Sequence, residues 1–164
     1  MIYRGYKKLA YLRKKFRGKK IVFCTGTFDL THAGHALFFE ECKKHGDVLV
    51  VGVGNDRVTS SLKGKHRPVL NEHVRLKMVH SLKPVDFVFL DESVANDHPL
   101  RMVEAAFKYL KPDYCVINND GFDMEGRKRL ANQYGVKLVI GKRTCPTKFN
   151  NISTSGIIEK INKD

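Results

Sequence analysis

The chain has no tryptophan, only 5 prolines in 164 residues, and 17 acidic residues against 30 basic ones. It also lacks any long apolar run. Without an uninterrupted stretch of roughly 20 apolar residues, no bilayer-spanning helix is expected. The N-terminus is basic, but Tyr6, Leu9, Tyr11 and Leu12 alternate with Lys and Arg. That pattern has neither the apolar core nor the small-residue cleavage site of a secretory signal, so a cytoplasmic protein with no membrane partner is expected. The four cysteines (Cys24, Cys42, Cys115, Cys145) include no Cys-x-x-Cys pair. This argues against the common zinc and redox spacings and leaves reduced core thiols; Cys145, alone in a polar loop, has no evident base beside it. The shortage of acid leaves a net charge of +13 and a pI near 9.7, which favours anionic partners, either a triphosphate or a nucleic acid.

With 42% hydrophobic residues, a chain of this length has the makings of one domain with an unstapled core. A single domain over residues 1–164 is expected, with a basic helical extension at about 1–19. In that extension Lys7, Lys8, Arg13, Lys14, Lys15, Arg17, Lys19 and Lys20 form a solvated face packed loosely on the rest. Short apolar runs at Ile21–Cys24, Asp47–Val53, Phe87–Leu90, Asp113–Ile117 and Val136–Ile140 read as strands buried on both faces. Between them lie helical patterns at 36–42, at 72–82 capped by Asn71 and stopped by Pro84, at 99–110 and at 124–134, the last ended by Gly135. The alternation predicts an α/β fold, a Rossmann-like doubly wound sheet of five parallel strands. Gly52-x-Gly54 lacks the third glycine of a dinucleotide fingerprint, and no helix-opening pattern is visible after it.

Thr25-Gly26-Thr27-Phe28-Asp29-Leu30-Thr31-His32-Ala33-Gly34-His35 joins the first strand to the first helix. At such a crossing the unpaired amides of the helix start favour phosphate, and imidazoles beside them can donate to phosphate oxygens. Two further stretches suit the same ligand. Leu62-Lys63-Gly64-Lys65-His66-Arg67-Pro68-Val69 places cations around a glycine, as a triphosphate lid would. Ser153-Thr154-Ser155 caps a last helix with Ile157, Ile158 and Ile161 on one face, offering a second cradle. Arg75, early on its helix, could face the ligand or solvent.

Gly-x-Phe-Asp followed by His-x-Gly-His resembles the signature of the cytidylyltransferase-like nucleotidyltransferases. With Leu62-Lys63-Gly64, Arg67-Pro68-Val69, Arg75 and the late Ser-Thr-Ser-x-Ile-Ile, the resemblance extends over about Lys19 to Lys160. It is greatest to the nucleotidyltransferase domain of heptose-1-phosphate adenylyltransferases; glycerol-3-phosphate cytidylyltransferase and archaeal FAD synthetase look more distant. The resemblance implies transfer of a nucleoside monophosphate from a nucleoside triphosphate to a phosphorylated sugar or polyol, with pyrophosphate released and Mg²⁺ accompanying the triphosphate. His32, His35 and Lys63 are the candidate catalytic residues. Gly26, Thr27, Phe28, Lys65, Asp120, Ser153, Thr154 and Ser155 join the two histidines as nucleotide-binding candidates, and Asp29, Asp56, Arg67 and Arg75 are candidates for the acceptor. Asp29, Asp56 and Asp120 could alternatively serve a metal, although no side-chain metal site is assigned. A homodimer is expected.

Donor and acceptor stay open. ATP is favoured by the Lys63–Val69 and Ser153–Ile158 stretches, whereas the signature is equally at home with CTP. Lys148-Phe149-Asn150-Asn151 stands where the glycerol phosphate enzymes have Arg-Thr-x-Gly. Asn118-Asn119-Asp120 stands where the heptose enzymes have a glycine pair and Asp. The segments 118–122 and 150–153 are where the base edge would be read. A rival reading is a non-catalytic nucleic-acid-binding module using the basic run with Tyr3, Tyr6, Tyr11 and Phe16; the two signature histidines speak against it.

Overall fold

A computed structural model describes residues 2–3, 5–94, 96–141, 146–149 and 152–163. Cys145, Asn150 and Asn151, named above, lie outside the described residues. All five expected strands are present, as β2 (Ile21–Gly26), β3 (Val48–Val53), β4 (Phe87–Leu90), β5 (Tyr114–Asn118) and β6 (Lys137–Gly141). A two-residue strand, β1 (Ile2–Tyr3), is added at one edge, and the order is β1-β4-β3-β2-β5-β6. Every pairing is parallel. β2 lies between β3 and β5, so the connections diverge from it, and the crevice at its carboxyl end is where ligands bind in open α/β sheets.

Side chains alternate across the sheet with the period of two that strands impose. Ile21, Phe23, Val48, Val50, Phe87, Phe89, Cys115 and Ile117 point to one face, where α1 (Leu9–Lys15), α5 (Arg101–Ala105) and α6 (Met124–Tyr134) cover them. Val22, Cys24, Leu49, Val51, Val88, Leu90 and Val116 point to the other, beneath α2 (Ala33–Lys43) and α4 (Glu72–His80). The expected helix over 99–110 begins at Arg101 and continues past Ala105 as a π-helical turn to Leu110, where Lys111 at φ 49° ends it.

Two expectations are corrected. A helix, α3 (Asp56–Lys63), does follow Gly52-x-Gly54, capped by Asn55, whose Oδ1 accepts from the Val58 amide at 2.8 Å. Its Val58 and Leu62, four residues apart, are too slight a stripe to announce a helix. The basic N-terminal stretch is also more than a loosely packed face. Its lysines are exposed, but Tyr6, Leu9 and Leu12 are buried in the core, and Arg13 is drawn in to Asp113 at 2.9 Å and to the carbonyls of Phe16 and Lys19. The Tyr6 hydroxyl donates to Asp91 and accepts from the Glu92 amide at 2.8 Å. Burial and the Asp91 carboxylate both raise its pKa, which keeps it a donor.

Leu9→Ala is therefore expected to lower the unfolding free energy by about 2–5 kcal/mol, as for other fully buried leucines. Urea unfolding would measure it, and a loss below about 0.5 kcal/mol would mean that α1 is not part of the core.

Candidate functional site

The carboxyl ends of β2 to β5 open into a cleft of about 900 Å³. Its floor is the turn that follows β2. Phe28 and Leu30 occupy left-handed backbone, at φ 53° and 45°, a conformation that costs non-glycine residues and persists where packing enforces it. Here the enforcing contact is the Phe28 ring, folded back over Gly26 and packed on Phe39 with centroids 4.9 Å apart. A Cβ at Gly26 would lie 2.9 Å from Phe28 Cζ, so only glycine fits beneath the ring. Thr27 and Phe28 thus shape the floor, while the Thr27 carbonyl accepts from Arg75 Nη1 at 2.6 Å.

Both signature histidines stand at the start of α2, half-buried and lining the cleft. His32 is the N-cap residue, and its Nδ1 accepts from the Gly34 amide at 3.1 Å. His35 Nδ1 accepts from the His32 amide at 3.4 Å, completing a reciprocal cap in which imidazoles replace the usual Ser and Glu. The rings stack at 3.9 Å, and the Phe28 edge holds His35 at 5.4 Å. With each Nδ1 accepting a backbone proton, the neutral rings carry their own proton on Nε2. The backbone thereby selects the tautomer of both histidines.

A second helix start closes on the same floor. In α7 (Thr154–Ile161) the Ser153 Oγ accepts from the Gly156 amide at 3.1 Å, and the Thr154 Oγ1 donates to the Asp29 carbonyl at 2.8 Å. Ser153, Thr154 and Ser155 line the cleft, as do Gly26, Lys63, Arg67 and Asp120. Ile161, on the expected apolar face of α7, is 67% exposed, and no residue of that helix is fully buried.

Several candidates have duties in the fold. The Asp29 carboxylate is buried and accepts from Arg67 Nε at 2.9 Å, the Val69 amide at 2.8 Å and the Leu70 amide at 3.0 Å. Burial pushes its pKa up, but the two amides and the guanidinium outweigh burial and hold it below the ordinary carboxylate value. Arg75 faces neither the cleft nor solvent. It is fully buried, donating to the carbonyls of Leu70 and Thr27 and to Asp56 at 2.7 Å. Asp56, so paired, lies outside the cleft lining, and so does the exposed Lys65. Lys63, expected in a loop, is the last residue of α3. Among the described residues no cluster of three or more His, Cys, Asp or Glu could hold a metal ion.

The structure also brings residues to the cleft that sequence reasoning passed over: Thr59, Asp91, Met102 and Arg127. Asp91 follows β4 directly, and its position at the carboxyl end of a parallel strand was the available signal. Arg127 sits in a polar helix and carries no such signal.

The cytidylyltransferase-like family profile matches residues 23–160. The chain is 37% identical over 150 residues to the bifunctional protein HldE of Geobacter metallireducens, covering 90% of this chain and 28% of that protein. It is 37% identical over 146 residues to the bifunctional protein HldE of Helicobacter pylori, with shares of 88% and 28%. The chain thus spans little more than a quarter of the length of these curated relatives. Among solved structures, the lipopolysaccharide core biosynthesis protein of Thermoplasma volcanium is 31% identical with a TM-score of 0.58, covering 75% of this chain and 94% of that one. Pantoate-beta-alanine ligase of Francisella tularensis, complexed with beta-gamma ATP and beta-alanine, has a TM-score of 0.65 at 17% identity over 99% of this chain and 77% of its own; it shares the fold.

Because the Asp29 pKa is depressed in the folded state, the stability it contributes is present above the unfolded value of about 3.9 and is lost as pH falls through the lower folded value. Asp29→Asn is expected to cost about 3–5 kcal/mol at neutral pH, the range for breaking a buried ion pair. The variant should lose less stability than the wild type as pH falls below about 4. Urea unfolding between pH 3 and 7 checks this, and parallel profiles for the two proteins would contradict that role of the Asp29 carboxylate.

Proposed function

Because the chain belongs to the cytidylyltransferase-like family, we propose that it is a nucleotidyltransferase that moves a nucleoside monophosphate from a triphosphate, with ATP favoured, to a phosphorylated sugar or polyol. The observation that carries this reading is the pair of stacked imidazoles whose Nδ1 atoms are both held by backbone amides at a helix start in the main cleft. In the proposed reaction an oxygen of the acceptor phosphate attacks the α-phosphorus in line, the bond to the β-phosphate bridging oxygen breaks, and pyrophosphate leaves. The attacking oxygen is already anionic at neutral pH, so no general base is needed. His32 and His35 donate to the charge that grows on the transferring group, from positions fixed before substrate arrives. Lys63 supplies a mobile charge for the phosphate chain, and Ser153, Thr154 and Ser155 close the other side.

Mg²⁺ fits this site as a companion of the triphosphate. Asp29 and Asp56 are engaged by Arg67 and Arg75, so phosphate oxygens and water would supply most of its ligands, which is how this ion is commonly held. Bound there, it would neutralise phosphate charge. The lipopolysaccharide core biosynthesis relative supports a sugar phosphate as acceptor. In this reading the 164 residues act as one nucleotidyltransferase unit in the cytoplasm. No described helix is long and apolar enough to cross a membrane. A homodimer fits the open edge at β6, where Ile140 is 47% exposed.

Incubation with each triphosphate, Mg²⁺ and a panel of sugar and polyol phosphates is expected to release pyrophosphate with at least one pairing. Silence across the panel, with no triphosphate shifting the melting temperature, would remove the reading. His32→Ala and His35→Ala are each expected to lower kcat on the order of 10²-fold or more with unchanged circular dichroism, and an active double variant would contradict their role. Calorimetric titration with non-hydrolysable ATP and CTP analogues separates the donors: tenfold tighter CTP binding, about 1.4 kcal/mol, would replace ATP by CTP.

A further inference from the structure

Arg127 lies in the first turn of α6, on the opposite face of the sheet from α2. Its Nε donates to the Phe122 carbonyl at 2.8 Å, which fixes the guanidinium against the 118–122 segment. Its Nη1 is buried and meets no hydrogen-bond acceptor. Among the described residues no carboxylate forms an ion pair with it. Asp123, close in sequence, uses Oδ1 to cap the Gly126 amide. Folded proteins rarely leave a buried donor unmet, and a charged one is the costlier case. The side chain also lines the cleft, as does Phe122, whose carbonyl it holds. A group arriving through the cleft can therefore supply what the protein does not.

The chemistry of that group follows from what is missing. Asp123 favours the charge without bonding to it; a neutral carbonyl or ring nitrogen would accept the Nη1 proton and add no charge, whereas a carboxylate or phosphate oxygen supplies both the acceptor and a direct counter-charge. In the proposed reading the triphosphate of the donor has its partners at the starts of α2 and α7, and the remainder of a nucleoside triphosphate, base and ribose, is uncharged, so a base read at 118–122 brings no anion to Arg127. An anion there thus belongs to the other substrate. We propose that Arg127 binds a second anionic group of the acceptor, a carboxylate or a phosphate other than the one that attacks. This rests on the acceptor reading above and narrows it from sugar and polyol monophosphates to phosphorylated sugar acids and bisphosphates.

Calorimetric titration of matched pairs in the presence of Mg²⁺ and α,β-methylene-ATP tests it without turnover. The pairs are glycerol 3-phosphate with 3-phosphoglycerate, erythritol 4-phosphate with 4-phosphoerythronate, and fructose 6-phosphate with fructose 1,6-bisphosphate. The wild type should bind the more anionic member at least tenfold more tightly in one pair or more, the sugar-acid pairs and the bisphosphate pair telling carboxylate from phosphate. Arg127→Met should abolish that ratio while the less anionic member and the ATP analogue bind within twofold of wild type. Arg127→Lys, which keeps the charge on a shorter reach, should retain part of it. No preference in the wild type, a ratio that survives in Arg127→Met, or a loss confined to the ATP analogue would each overturn the assignment. Should Arg127→Met fail to fold, an undiminished ratio in Arg127→Lys overturns it. Discrimination without pyrophosphate release in the wild type would sink the transfer reading and leave Arg127 as the anion-binding residue of a site that does not transfer.

Discussion

Asp29 is the residue on which the geometry of the cleft depends. Its carboxylate gathers the Arg67 side chain and the amides of Val69 and Leu70, and its carbonyl receives the Thr154 hydroxyl. Three segments far apart in sequence, the turn after β2, the strap leading into α4 and the start of α7, are joined at this one residue. A buried carboxylate is tolerable only when its lone pairs are met, and here three donors meet them. The turn holds two non-glycine residues in left-handed backbone, so it needs outside restraint, and these contacts provide it.

Arg75 restrains the same turn from below. Its fully buried guanidinium donates to the Thr27 and Leu70 carbonyls and to Asp56, the first residue of α3. Asp29 and Arg75 therefore both tie the turn to the strap, one with a carboxylate and one with a guanidinium. An ion pair at the surface contributes little because solvent competes for both partners. These groups are largely withdrawn from solvent and bond to the main chain, so they fix positions. The two histidines inherit that rigidity, since their rings are capped by amides of the same helix start. Preorganisation of this kind matters for charge developing in a transition state, because nothing then has to reorient during the reaction.

Much of this was legible in the sequence, and the exceptions have physical causes. The five strands announced themselves because parallel strands buried on both faces are nearly unbroken apolar runs. The Asn71 and Ser153 caps and the Gly135 stop fall where side-chain chemistry places them. β1 was not legible, because two residues carry no periodicity. α3 was not, because Asp56–Lys63 is rich in Ser and Thr, which are weak helix formers, and its formation relies on Asn55 and on Glu72 accepting the Asp56 amide at 3.0 Å. Arg75 and Arg127 show the deeper limit. Both are arginines early in polar helices, yet one has its donors met by carbonyls and a carboxylate and the other retains a buried nitrogen with no partner. What separates them is tertiary packing, which residue type and spacing do not encode.

The orientation of the helices gives the cleft an electrical direction. α2 and α7 begin at it, presenting the partial positive charge of their amino ends, whereas α3 lines it along its length, from Val58 to Lys63. A polyphosphate would be drawn toward those two helix starts. Lys63, the final residue of α3, places a full positive charge where that helix offers a partial negative one, which is the favourable position for a cation on a helix. The lysine thus offsets the carbonyl end of its helix while lining the cleft. Lys65, two residues on and beyond the Gly64 turn at φ 96°, has no helix end to offset and stays at the surface. Of the two lysines in one stretch, the one tied to the helix terminus is the one that lines the cleft.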